Sequence, residues 1–322
     1  MQLLGFHHVT AITANARANH DFYTRVLGLR LVKKTVNQDD VSAYHLFYAD
    51  GAASPGTDIT FFDWPAKRER RGTNSVVRTG MRVRTEESLR WWERRLGELG
   101  VSRGAIEPLD DRPGFEFEDP EGQRLALVVD TSAPVGHPWP RSTVPEAHQI
   151  VGLGPVTMSV PALGRTDRVL TEIMNMRRIR ETTSQRDKRS VPVHVYAMGA
   201  GGPAAELHVV VEPGLEPAGP GAGGVHHIAF RTPDVGEYRA WDEHLRGKGV
   251  NTSGPVDRYY FRSLYFREPN GVLFEIATDG PGFATDEPEN QLGERLALPP
   301  FLESRRAEIE RGLKPLETAR AG

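Results

Sequence analysis

Short apolar blocks, some alternating and some continuous, are bounded by Gly, Asp or Pro and separated by stretches of helical period, and their order along the chain repeats four times. In residues 6–65 the pattern predicts a strand at 8–13, a helix at 18–27 stopped by Gly28, and strands near 31–36, 43–48 and 58–62. The same βαβββ order returns in 76–130, with a helix at 86–99 stopped by Gly100 and strands at 115–118 and 124–129. A third copy occupies 151–212, with a strand at 155–160, a helix at 165–174 and strands at 191–198 and 205–211. The fourth occupies 224–279, with a strand at 227–231, a helix at 235–248 and strands near 262–267 and 272–277. The fold class is therefore α+β, with four βαβββ units paired into two domains.

Proline marks the boundary between the pairs. Pro134, Pro138, Pro140 and Pro145 forbid a helix and suit an ordered linker. The expected division is an N-terminal domain at 1–133, a Pro-rich linker at 134–148, a C-terminal domain at 149–280 and an extension at 281–322. The extension holds a charged helix at 301–312 and is expected to pack over the core or over a partner subunit.

Comparing the copies locates the chemistry. Phe6-His7-His8-Val9-Thr10 in the first unit is echoed by Val225-His226-His227-Ile228-Ala229 in the fourth, whereas Thr79-Gly80 and Gly154-Pro155 stand at those positions in the second and third. Four residues after a turn glycine the fourth unit has Glu275, where the first has Thr60 and the second Ala126. Glu275 lies in the apolar run Leu273-Phe274-Glu275-Ile276-Ala277, where an uncompensated carboxylate would cost several kcal/mol. Something cationic must face it, either an arginine such as Arg258 or Arg262, or a metal. His8, His227 and Glu275 are the donors of a 2-His-1-carboxylate site with open positions. Neighbouring strand residues point to opposite faces, so only one histidine of each doublet is expected to be a ligand. The second is chosen because Thr10 and Ala229 share its face and are small. His7 and His226 are left as supporting or substrate-contacting candidates, and His45, His194 and His208 as core or rim histidines. One metal site is expected, with units one and four enclosing it and units two and three enclosing a matching but empty cavity. The two ends of the chain must then meet.

Composition narrows the alternatives. The 322 residues include no cysteine, which excludes disulfides, thiolate ligands and a cysteine nucleophile, and any metal must sit on N and O donors. With 40 Lys+Arg against 43 Asp+Glu the net charge is −3 and both signs are scattered, so neither a nucleic-acid nor a membrane partner is expected. No secretory signal or long apolar run is legible, and the expected location is cytoplasmic.

These residues carry a family resemblance. The βαβββ quartet with His8, His227 and Glu275 resembles the vicinal oxygen chelate superfamily of glyoxalases, bleomycin-resistance proteins and extradiol dioxygenases. More narrowly, 4–10, 44–50, 224–230, 257–263 and 273–275, with 292–294 and 298–300 in the tail, resemble the ring-cleaving dioxygenases of the hydroquinone type. The resemblance implies Fe(II), with Mn(II) sharing the same ligand set, held by His8, His227 and Glu275. It also implies an aromatic diol and O2 as reactants, and Arg258, Tyr265, His226 and Thr10 as groups near the substrate. Arg258 would stabilise an oxyanion, Tyr265 would hydrogen-bond an oxygen, and His226 would move a proton near neutral pH. Ordinary strand surface or an aromatic core position is the alternative for Arg258 and Tyr265. Two other activities remain open: a glyoxalase-type isomerase or lyase, which would want a fourth ligand where Thr60 stands, and a metal-free binding protein. Assembly into a homo-oligomer is likewise left open.

Overall fold

The structure, a computed structural model, describes residues 1–186 and 189–318. Unit one supplies strands β1 (Phe6–Thr13), β2 (Arg30–Val36), β3 (Tyr44–Ala49) and β4 (Asp58–Asp63), and unit two β5 (Ser75–Val83), β6 (Glu107–Leu109), β7 (Arg112–Glu118) and β8 (Arg124–Val129). Unit three supplies β9 (Leu153–Val160), β10 (Arg177–Arg186), β11 (Arg189–Ala197) and β12 (Glu206–Val211). Unit four supplies β13 (Val225–Thr232), β14 (Val256–Asp257), β15 (Phe261–Arg267) and β16 (Leu273–Pro281). These strands form two eight-stranded sheets, ordered β14-β15-β16-β13-β1-β4-β3-β2 and β10-β11-β12-β9-β5-β8-β7-β6. The outer units share one sheet and the inner units the other. Each expected half of the chain, 1–133 and 149–280, thus gives one unit to each sheet.

The helices show why the two sheets stay together. In α1 (Ala16–Asp21) the helix is short and runs on as a π-helical turn at Phe22–Val26, so the 18–27 prediction is replaced by two coil types. Glu86–Glu98 forms α2, capped by Thr85 and burying Leu89, Trp92 and Leu96 at helical spacing. In unit three, α3 (Leu163–Arg168) again passes into a π-helical turn, at Val169–Ile173. Val235–Gly247 forms α4, whose Asp234 side chain accepts from Glu237 N and whose Tyr238, Trp241 and Leu245 are buried. One large apolar cluster joins Tyr23, Trp92 and Phe115 of units one and two, and another joins Met158, Trp241 and Phe274 of units three and four. Sheets bind the halves to each other, and the second cluster crosses between them, taking in Phe6, Val9 and Val76 of the first half.

The segment 134–148 packs against units one and two. Val144 enters the core of units one and two, Trp92 Nε1 donates to His148 O at 2.7 Å, and Ser88 Oγ donates to Ala147 O at 2.9 Å. The extension packs on its own chain: Ala297 N donates to Lys34 O at 2.9 Å, and Lys34 Nζ to Leu316 O at 3.1 Å. Lys33, fully buried, is neutralised by Asp286 and Glu287 and lies 4.6 Å above the Tyr260 ring. Strands β6, β10 and β14 have no counterpart in the sequence prediction; β6 and β10 close the two ends of one sheet and β14 one end of the other. Among the described residues, no helix is long and apolar enough to cross a membrane.

Candidate metal centre

The centre forms where units one and four join. Strands β1 and β13 are antiparallel neighbours, β13 and β16 parallel ones, and His8 pairs with Ala229, which in turn pairs with Glu275. His227 lies two residues before Ala229, hence on the same face. Three donors therefore surround one small, fully buried alanine side chain.

Both doublets depart from simple alternation. On β1, Phe6 and His8 face the adjacent residues Phe230 and Ala229, so His7 is the extra residue of a bulge; on β13, His227 and Val225 face Thr10 and Ala11, so His226 is the extra residue of another. A bulge re-aims its side chain. His7 Nδ1 lies 2.9 Å from His8 Nδ1, and His226 Nδ1 lies 2.8 Å from His227 Nδ1. Burial first, and then the neighbouring histidine, lowers the pKa of both His7 and His226 to about 3. Each first histidine is thus a neutral imidazole able to accept the Nδ1–H of the second. That bond sets the second ring's tautomer and leaves its Nε2 lone pair facing inward.

Facing inward, the three donors form a triangle: His8 Nε2 to His227 Nε2 is 3.1 Å, His227 Nε2 to Glu275 Oε2 3.0 Å, and His8 Nε2 to Glu275 Oε2 3.3 Å. Glu275 Oε1 accepts from Ser263 Oγ at 2.5 Å, but Oε2 is buried and receives no hydrogen bond of acceptable geometry. Burial alone would raise the Glu275 pKa; positive charge shared with the facing nitrogens of His8 and His227, from a proton or a cation between them, holds the carboxyl well below its usual range. Cis ligands about 2.1 Å from an octahedral ion stand about 3.0 Å apart, and tetrahedral ones about 3.4 Å. The orphaned oxygen, the two converging ring nitrogens and edges of 3.0–3.3 Å, within the span of these two values, fit a divalent ion that would be held by all three side chains. Neither arginine considered for Glu275 reaches it. Arg258 is paired with Asp39 at 2.8 Å, and Arg262 lies 3.7 Å from Asp257.

A cavity of about 40 Å³ opens beside the triangle, lined by His8, His227, His45, Arg258 and Tyr265 with aromatic walls of Phe47, Phe62, Tyr260 and Phe261. Tyr265 OH accepts from Arg258 Nε at 3.2 Å, and burial pushes its pKa up, so the hydroxyl keeps its proton. Three expected substrate contacts are not among the lining residues. His7 and His226 stand behind the ligand candidates, and His226, held to about 3, is no neutral-pH proton carrier. Thr10 is fully buried and bonds Thr60 Oγ1 at 2.7 Å, which bonds His45 Nε2 at 3.0 Å. His45, read as core or rim, instead borders the cavity as a neutral ring whose pKa is lowered by burial and then by His8 and His227. Ser263, Asp39 and Gln38 escaped sequence reasoning too. A serine facing the Glu275 strand two residues before Tyr265 was the available signal for the first; the other two carry none.

The inner sheet holds a second cluster. His208 pairs with Thr157 across β12 and β9 as Glu275 pairs with Ala229 across β16 and β13, and it lies near Asp110 and Glu206. Here arginines occupy the carboxylates: Arg112 reaches Asp110 at 3.1 Å and Glu206 at 2.8 Å, and Arg180 pairs with both. The adjoining cavity, about 170 Å³, is lined by Arg78, Asp110, Thr157 and His208 among others.

Fold and site together define a class. The chain belongs to the Glyoxalase/Bleomycin resistance protein/Dioxygenase superfamily, whose family model matches residues 5–127 and 152–276. Among individual relatives, it is 45% identical to "Putative ring-cleaving dioxygenase MhqA" of Bacillus subtilis, over 98% of this chain and 100% of that protein. It is 29% identical to the chlorohydroquinone/hydroquinone 1,2-dioxygenase of Sphingobium indicum, over 95% of each chain. The crystal structure of a "putative dioxygenase" from Bacillus subtilis superposes with a TM-score of 0.89 at 35% identity, covering 99% of both chains.

Proposed function

We propose that this protein is a ring-cleaving dioxygenase of the cytoplasm that opens a hydroquinone- or catechol-type ring at an Fe(II) held by His8, His227 and Glu275, with Mn(II) as the ion of equivalent ligand chemistry. The observation that carries the reading is the triangle of inward-facing donors, 3.0–3.3 Å on an edge, beneath an aromatic-walled cavity. The relatives named above support the reaction class. When bound, the ion supplies a redox-active Lewis acid at which ring oxygen and dioxygen meet. The chain supplies the remainder. Phe47, Phe62 and Phe261 flank the ring and exclude water, Arg258 offers positive charge to a developing oxyanion, and Tyr265 offers a hydroxyl proton whose direction Arg258 sets. A glyoxalase-type fourth ligand is disfavoured, because Thr60 is tied to Thr10 and His45.

Anaerobic loading with Fe(II), followed by oxygen uptake on a panel of hydroquinones and catechols, tests the assignment. At least one substrate should consume one O2 per ring opened, and Glu275→Gln should consume none while remaining folded by circular dichroism. Anaerobic turnover of a 2-oxoaldehyde–thiol adduct, with every dihydroxybenzene untouched in air, would move the protein to the isomerase class.

A further inference from the structure

A cavity of about 40 Å³ is too small for the substrate proposed above. A single benzene ring occupies an engineered cavity of about 150 Å³. Something in the wall must give way, and two turns from opposite ends of the chain mark where. The turn between β2 and β3 places Gln38 and Asp39 in the wall, and the turn between β14 and β15 places Arg258 and Tyr260 there. Asp39 Oδ1 and Oδ2 accept from Arg258 Nη1 and Nη2 at 3.0 and 2.8 Å, and Gln38 Nε2 donates to Arg258 O at 2.8 Å. The Asp39 side chain is 72% exposed and that of Arg258 19%, whereas His8, His227 and Glu275 are at most 4% exposed. The pair therefore stands at the cavity's outer end. Each nitrogen of the guanidinium is engaged, two by Asp39 and one by Tyr265.

Arg258 cannot offer its full charge to a substrate oxygen while a carboxylate neutralises it. We propose that Asp39 is a positioning residue that holds Arg258 across the cavity mouth until an oxygen of the incoming ring replaces it as the guanidinium's partner. The inference rests on the dioxygenase reading for its substrate, although not for the opening itself. The exchange is physically easy in one direction: an exposed ion pair is weak and screened by salt, whereas the same guanidinium facing an oxygen inside the cavity is shielded from solvent. The turn carrying Arg258 is tied by hydrogen bonds of its own. Arg258 N donates to Phe261 O at 2.9 Å, Tyr260 N to Arg258 O at 2.8 Å, and Tyr259 is held at φ 69° with its N bonded to Asp257 Oδ1.

The test needs metal-loaded full-length protein and a chelator. In Asp39→Ala the metal should be extracted roughly twofold to fivefold faster than in wild type, the range that one exposed ion pair accounts for. The wild-type rate should also rise as salt shortens the Debye length from about 30 Å to about 3 Å, and the Asp39→Ala rate should not. With an accepted hydroquinone, KM should fall by a similar factor and kcat should hold within about twofold. Asp39→Glu should restore wild-type behaviour in all three measurements. Equal extraction rates with an equal salt response in wild type and Asp39→Ala would overturn the proposal. So would a raised KM with a lowered kcat and no faster extraction, since Asp39 would then merely orient Arg258. If wild-type protein oxidises no dihydroxybenzene, the dioxygenase reading fails, and the chelator and salt results still decide whether Asp39 closes the mouth.

Discussion

Ser263 is the least conspicuous member of the centre and the most direct to test. Its hydroxyl donates to Glu275 Oε1 at 2.5 Å, and neither residue has any solvent exposure. In Ser263→Ala the volume change is one oxygen atom, so packing loss is small, but a buried carboxylate loses its single donor on that side. A hydrogen bond to a charged group contributes about 1.5–3 kcal/mol, or roughly tenfold to a hundredfold at about 1.4 kcal/mol per tenfold. Most of this should fall on the metal. In the metal-free variant Glu275 is free to rotate or to take up a proton, and binding must reverse both, consistent with the tenfold to hundredfold losses typical of residues that orient a ligand. Competition against a chelator of known affinity, done anaerobically with Fe(II), measures it directly. Affinity within threefold of wild type would refute the argument and leave the orientation of Glu275 to its backbone.

Three further outcomes follow from the same geometry. His226→Phe keeps a ring beside His227 but removes the Nδ1 acceptor 2.8 Å away, so metal affinity should fall about tenfold to a hundredfold in the same competition assay. Tyr265→Phe should leave metal affinity unchanged and lower turnover roughly tenfold to a thousandfold in oxygen uptake; wild-type turnover would make the hydroxyl a bystander. Away from the centre, burial raises the Asp119 pKa from 3.8 to about 6, so the folded state holds this proton more tightly than the unfolded chain. Its stabilising contribution is complete below about pH 4 and is lost as pH rises through about 6, to a limit of about 3 kcal/mol. Urea unfolding at pH 4 and pH 8 should show that Asp119→Asn removes this part of the pH dependence.

What the sequence made legible was local. Four βαβββ units, the paired histidine doublets and a lone carboxylate in an apolar strand are all patterns of neighbours, and buried strands write such patterns plainly. The unread features depend on pairing between distant segments. Opposite-face alternation left His7 and His226 undecided between supporting and substrate-contacting roles, because a bulge is a relation between two strands and leaves no mark in either one. Strand β10 was missed because Arg177-Arg178-Ile179-Arg180-Glu181 has the charged character that protects a sheet edge, and it reads as loop. His45 sits in an aromatic strand that looks like ordinary core, and only the fold brings it beside His8 and His227. Asp39 meets Arg258 across 219 positions of sequence.

The duplication supplies its own control for the metal. Both sheets carry paired bulges in their central antiparallel strands, in one between Phe6 and His8 and between Thr10 and Ala11, in the other between Val76 and Arg78 and between Thr79 and Met81. Both also bury carboxylates on the same fold, and a buried charge must be compensated. In the inner sheet Arg112 and Arg180 do this, and the His208 hydrogen bond together with these two arginines holds the Glu206 pKa down against the effect of burial. In the outer sheet the cations near Glu275 are otherwise engaged, Arg258 by Asp39 and Arg262 by Asp257. Two imidazoles remain, each with its outer nitrogen occupied by a neutral histidine and its inner lone pair turned toward the same carboxylate oxygen. Lone pairs facing a carboxylate repel unless a proton or a cation lies between them. One proton can bridge only one of the two contacts, whereas a divalent ion satisfies both and the buried anion as well.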